Sequence, residues 1–122
     1  MFTITWLIRC AAVSALALLL ITCPAYAETL HVTATAYSSE EPGIGEIGAL
    51  GHPIRAHKTI AVSRDLRHLL GQEVYIHGLG YRFVNDLMAA RWTNRIDLVR
   101  ETVAECEEWG KRKMVMLTGE EM

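Results

Sequence analysis

The sequence predicts a mainly β fold, a compact barrel or sandwich of about six short strands with one short C-terminal helix and a helical turn. Three observations point there. Short runs rich in β-branched residues recur between clusters of glycine, proline and serine. One stretch near the C-terminus carries an apolar stripe at helical spacing together with start and stop signals. The strand-like runs are not separated by the long helices that a parallel βαβ sheet needs.

Arg9 is the only charge ahead of an apolar run from Cys10 to Ile21, and Ala25-Tyr26-Ala27 offers the small residues of a signal-peptidase site. Residues 1–27 therefore read as an export signal and residues 28–122 as one domain. Two other fates are open to this segment: an uncleaved anchor, since residues 2–23 are about long enough to span a bilayer, and lipidation at Cys23. A membrane enters only through such an uncleaved or lipidated N-terminus.

Removing 27 of the 122 residues leaves 95, room for a single small core. Arg9 leaves too, so 12 basic residues fall to 11 against 14 acidic, a balance of −3. Such a surface lacks the concentrated basic face that nucleic acid requires. Cys10 and Cys23 belong to the signal region, leaving Cys106 without an intrachain partner. Packing must then stabilise the fold, with Cys106 as a small buried hydrophobe.

Along the remaining chain, TLHVTATAY (29–37) alternates with the period of a strand. Residues 38–58 hold several glycines and two prolines, which break regular structure into a long surface loop. KTIAVS (58–63) is a short strand. SRDLRHLLG follows as a helical turn, Ser63 being placed to cap it, Leu66, Leu69 and Leu70 to bury one face, and Gly71 to end it. EVYIHGLGYRFV (73–84) divides into two strands at Gly78-Leu79-Gly80. RIDLV is another strand, ETVAECEEWG (101–110) the helix, and RKMVMLT the last strand.

Few residues invite chemistry. The five histidines form no HxH or HExxH pattern and no Cys/His ligand spacing, so no metal is expected. Gly43, Gly45 and Gly48 precede no Gly-Lys-Ser/Thr step, so no nucleotide cofactor is implied. Asp86 and Asp97 stand out because they flank a polar excursion between two strands. Drawn together, two carboxylates disfavour double ionisation, and burial would add to that effect. An ordinary Asp keeps its proton roughly one time in a thousand at neutral pH, so a raised Asp97 would become a usable general acid. The alternative is that both aspartates satisfy backbone N–H groups at strand ends.

The runs IAVSRDL, GQEVYIHGLGYRFVNDLMAARWTNRIDLV and WGKRKMVML, with VTATAY at the start, resemble the "3D" domain. That family is named for three aspartates and is found in membrane-bound lytic transglycosylase A and related cell-wall proteins. The positions matching the aspartates are Asp65, Asp86 and Asp97. The resemblance implies a six-stranded double-psi β-barrel, exported to the periplasm or cell envelope, acting on peptidoglycan glycan strands. It implies cleavage of the β-1,4 bond between N-acetylmuramic acid and N-acetylglucosamine with formation of 1,6-anhydro ends. Asp97 takes the general acid and base role, Asp86 tunes it, Asp65 is structural, and Thr35 and Tyr37 line the groove. The family's stretch after the second aspartate is Gly-rich with a Lys-Gly step, whereas here it reads LMAARWTNR. Arg91 then offers the positive charge, and Trp92 either a stacking surface for a sugar or a plug for the barrel end. A non-catalytic glycan-binding or structural envelope module of the same fold is the rival expectation.

Overall fold

Alternation in the strands sorts the side chains into an inside and an outside. The computed structural model describes residues 28–119, and the export signal expected over residues 1–27 lies outside the described residues. Strands β1 (Glu28–Tyr37), β2 (Thr59–Val62), β3 (Glu73–Ile76), β4 (Gly80–Leu87), β5 (Arg95–Val99) and β6 (Arg112–Thr118) close into a barrel in the ring order β1-β5-β2-β4-β3-β6. β1 pairs parallel with β5, and β2 parallel with β4; the other pairings are antiparallel. Closure leaves no sheet edge to protect, which separates a barrel from the sandwich that the strand count alone also allowed.

Val32, Ala34, Ile60, Val62, Val74, Ile76, Val84, Ile96 and Met116 fill the interior, all nearly inaccessible to solvent. They are mainly branched aliphatics at every second position, which is how a small barrel fills its lumen. The intervening positions point outward. There a second, smaller cluster of Tyr37, Ala61, Met88 and Val99 is covered by Ile44, Ile54, Ala56 and Trp92.

The helical turn at Arg64–Leu69 is 3₁₀ in form, with a kink at Leu66. Its three-residue repeat stacks Leu66 and Leu69 on one side, and both are buried. Ser63 holds the N-cap position with extended dihedrals but makes no capping bond. Its hydroxyl accepts instead from Arg95 N–H at 3.0 Å, tying the end of β2 to the start of β5. Helix α1 (Val103–Trp109) is shorter than the expected 101–110. Thr102 caps it by accepting from Glu105 N–H at 3.1 Å, and Gly110 closes it at φ 67°. Cys106 and Trp109 form its buried face, and the Trp109 indole N–H donates to Ala34 O at 3.1 Å.

Candidate functional site

The site is built on the outer face of β2. Ala61 is the register partner of Asp97 on one side and of Asp86 on the other, and Asp97 in turn pairs with Thr35. Four residues from four adjacent strands thus form one row, Thr35–Asp97–Ala61–Asp86. Strand register brings the two aspartates together, with one residue between them.

A bulge makes this possible. Ile60 pairs with Val84, but Ala61 pairs with Asp86, so Asn85 is the extra residue. Without it, Asp86 would fall on the interior face, because a one-residue slip reverses every side chain. Asn85 is completely buried and donates its amide to His52 O and Pro53 O at 3.2 and 3.1 Å. Gly48 lies so close above the bulge that a Cβ there would meet Asn85 O at 2.5 Å. The loop of residues 38–58 is thereby strapped over β4.

The two carboxylates have different surroundings. Asp86 Oδ1 accepts from Ala49 N–H at 3.0 Å and Leu87 N–H at 2.9 Å, so it anchors the strap. Among the described residues Asp97 Oδ1 accepts only the Thr35 hydroxyl, at 3.0 Å. Burial pushes the Asp97 carboxyl up to about 6; the Thr35 bond opposes the shift, Glu41 adds to it, Arg95 opposes it, and Asp86 adds the smallest upward push. Tyr37 closes the same space. Its phenol is buried without a partner in full hydrogen-bond geometry, and burial followed by the Asp86 and Asp97 charges holds its proton on.

These groups line a groove of about 270 Å³. Ala61 is its floor, and Tyr37, Ile44, Met88 and Trp92 are its walls. Arg91 and Arg95 place their guanidinium carbons 4.9 and 3.9 Å from the Trp92 ring centre. Trp92 therefore stands at the groove wall among the outer cluster, flanked by cations, and does not enter the interior cluster.

Of the expected site residues, Asp86, Asp97, Tyr37, Arg91 and Trp92 line this groove, and Thr35 reaches it through Asp97. Asp65 is elsewhere. Its Oδ2 accepts from Asn94 N–H at 2.9 Å, holding a residue with φ 48° in the turn before β5. Burial acts to raise the Asp65 carboxyl, but bonds from Ser63 and from backbone N–H groups outweigh it and lower the net value. Sequence reasoning missed Glu41, Ala61 and Ile44. Nothing in EEPGIG marks Glu41 as a neighbour of Asp97. The Cys106 thiol is buried and raised by that burial, with Glu41 and Asp97 adding to it, so it is a poor nucleophile. Among the described residues no group of three or more His, Cys, Asp or Glu could hold a metal ion.

No family model matches the chain. A cell wall-binding protein of Bacillus subtilis (strain 168), YocH, is 33% identical over 84 residues, which is 66% of this chain and 29% of that protein. The chain thus spans less than a third of that relative's length. Among solved structures, an expansin of Clavibacter michiganensis superposes with a TM-score of 0.57 at 21% identity, over 78% of this chain and 52% of that one. The Streptomyces papain inhibitor superposes with a TM-score of 0.53 at 18% identity, over 75% and 93%. These likenesses concern the fold, and with the ring order of the strands they support a double-psi barrel.

Proposed function

We propose that this chain is an exported, cell-envelope protein that cleaves peptidoglycan glycan strands as a lytic transglycosylase, with Asp97 as its single general acid and base. The observation that carries the reading is Asp97 itself, a groove carboxyl raised by burial to about 6, with a second aspartate fixed one strand position away. At neutral pH such a group keeps its proton in roughly a tenth of molecules, about a hundred times more often than an ordinary Asp. The resemblance to the three-aspartate domain supplies the reaction. The cell wall-binding relative supports the polymer class, and a variant of the expansin has been recorded in complex with cellohexaose, a β-1,4-linked glycan.

In this reading the bond between N-acetylmuramic acid and N-acetylglucosamine crosses the groove over Ala61. Asp97 gives its proton to the glycosidic oxygen, and the bond from that oxygen to C1 of the muramic acid breaks. The C6 hydroxyl of the same sugar attacks C1, and Asp97 takes its proton. An intramolecular nucleophile needs no second carboxylate to activate water. Asp86 is then free to hold the loop and contribute negative charge beside Asp97. The groove is smaller than the roughly 300–1,000 Å³ of typical ligand sites, which suits one linkage of a long polymer rather than an enclosed small molecule.

Mass spectrometry of muropeptides released from purified peptidoglycan tests this. The parent should release 1,6-anhydro products, and Asp97→Asn should lose at least about a hundredfold of that rate. Undiminished release by the variant overturns the assignment. The second reading, a glycan-binding module that does not cut, is favoured by the relative whose name describes binding. It predicts no release by either protein and equal co-sedimentation of both with the polymer.

A further inference from the structure

A second depression, of about 380 Å³, is larger than the groove and is lined by none of the same residues. Trp109 is its platform, fixed by its own bond to Ala34 O. The guanidinium carbons of Arg112 and Arg100 sit 4.1 and 4.9 Å from the Trp109 ring centre. Arg112 Nε donates to Trp109 O at 3.0 Å, and Arg100 Nη1 lies 3.0 Å from His57 Nδ1. Arg100 Nε is buried and finds no partner among the described residues.

The charges do not cancel in pairs. Among the described residues the one contact within ion-pair distance is His57 with Glu105, at 3.7 Å, which is an ion pair only when the imidazole carries a proton on both nitrogens, and Glu105 also accepts Glu101 N–H at 3.2 Å. Among the described residues no carboxylate lies within ion-pair distance of Arg100 or Arg112. His57 is held in the left-handed region, at φ 61°, with its N–H on Val99 O at 2.9 Å.

We propose that this depression binds one carboxylate of the short peptide carried on a glycan strand. Two guanidinium groups stacked on one indole present paired N–H donors to a planar carboxylate. Glu105 and Glu108, on the same lining, add negative charge that disfavours a polyanion such as a phosphate backbone and suits an ammonium or amide next to the bound carboxylate. The position fits. Arg100 follows β5 directly, about 10 Å along the chain from Asp97, and its N–H donates to the carbonyl of the groove residue Tyr37 at 2.9 Å. A glycan in the groove would thus carry its side peptide towards Trp109. The inference rests on the cell-wall reading for its ligand, and for its chemistry on two guanidiniums that form no ion pair among the described residues.

The test measures binding of the full chain to intact peptidoglycan and to the same polymer stripped of peptides by an amidase. Binding to the intact polymer should be at least tenfold tighter, and Arg112→Gln should erase that preference while leaving binding to the stripped polymer unchanged. Equal binding of both polymers by the parent overturns the peptide site while leaving the glycan reading intact. Binding of neither sinks the glycan reading, and the site is then decided by NMR titration with N-acetyl-D-alanine. Movement of the Trp109 indole N–H signal in the parent but not in Arg112→Gln sustains a carboxylate site; no movement in the parent overturns it.

Discussion

Asp97 is a carboxyl that the folded state prefers protonated. Its unfolded value is close to 3.8 and its folded value about 6. The folded protein therefore holds a proton that the unfolded chain releases between those pH values. Stability is fully present below that window, falls as pH rises through it, and above about pH 6 is lower by at most about 3 kcal/mol. Asp97→Asn keeps the shape and removes the charge, so it should melt higher than the parent at pH 7.5, with the difference vanishing near pH 4. Equal melting at both pH values would show that burial of Asp97 costs nothing. The neighbours can be separated as well. Thr35→Val removes a bond to the charged form and should raise the Asp97 value, whereas Glu41→Gln removes a negative charge and should lower it. Carboxyl carbon chemical shifts followed against pH read both, and shifts in one direction would contradict the account. Asp86 and Asp97 were legible in the sequence because they bracket a loop. Glu41 was not, because its effect on Asp97 depends on how a glycine- and proline-rich loop folds back, which leaves no periodic trace.

At the scale of elements, the strands were legible from alternation, and helix α1 from its cap, stripe and closing glycine. The bulge at Asn85 was not. NDL continues the strand run without a glycine or proline to mark an extra residue, and only tertiary pairing against β2 shows that Asn85 is skipped. Yet this bulge turns Asp86 to the face of Asp97. The strap above it is fixed by Asp86 and by the close approach of Gly48, with Leu50 N–H on Asn85 O at 3.2 Å. Gly48→Ala would push a methyl group against that carbonyl. It should destabilise the protein by about 1–3 kcal/mol, the usual cost of overpacking, and speed hydrogen exchange at Ala49 and Leu50 more than in β5. Unchanged exchange at those two amides would mean that the strap does not depend on this contact.

The whole molecule is a barrel with two faces whose tasks can be separated at adjacent residues. Ile60 points into the lumen and is fully buried among branched aliphatics; Ala61, the next residue, forms the floor of the groove between the two carboxylates. Because the described residues hold only one buried, unpaired cysteine, their stability comes from the interior packing. Because the groove needs an open floor, position 61 needs a small side chain. Ile60→Ala should lower stability by about 2–5 kcal/mol through a cavity the closed barrel cannot collapse. It should leave the Asp97 value near 6, since no charged neighbour of that group is altered. Ala61→Val acts on the groove instead. Ala61 is buried under the outer cluster, so overpacking should lower stability by about 1–3 kcal/mol, while two added methyl groups between Asp86 and Asp97 should weaken glycan binding at least tenfold. Denaturant unfolding and polymer co-sedimentation of the two variants side by side measure both outcomes. If Ala61→Val bound glycan as the parent does, the polymer would have to lie elsewhere than over β2, and the row of Thr35, Asp97 and Asp86 would lose its claim to be the site.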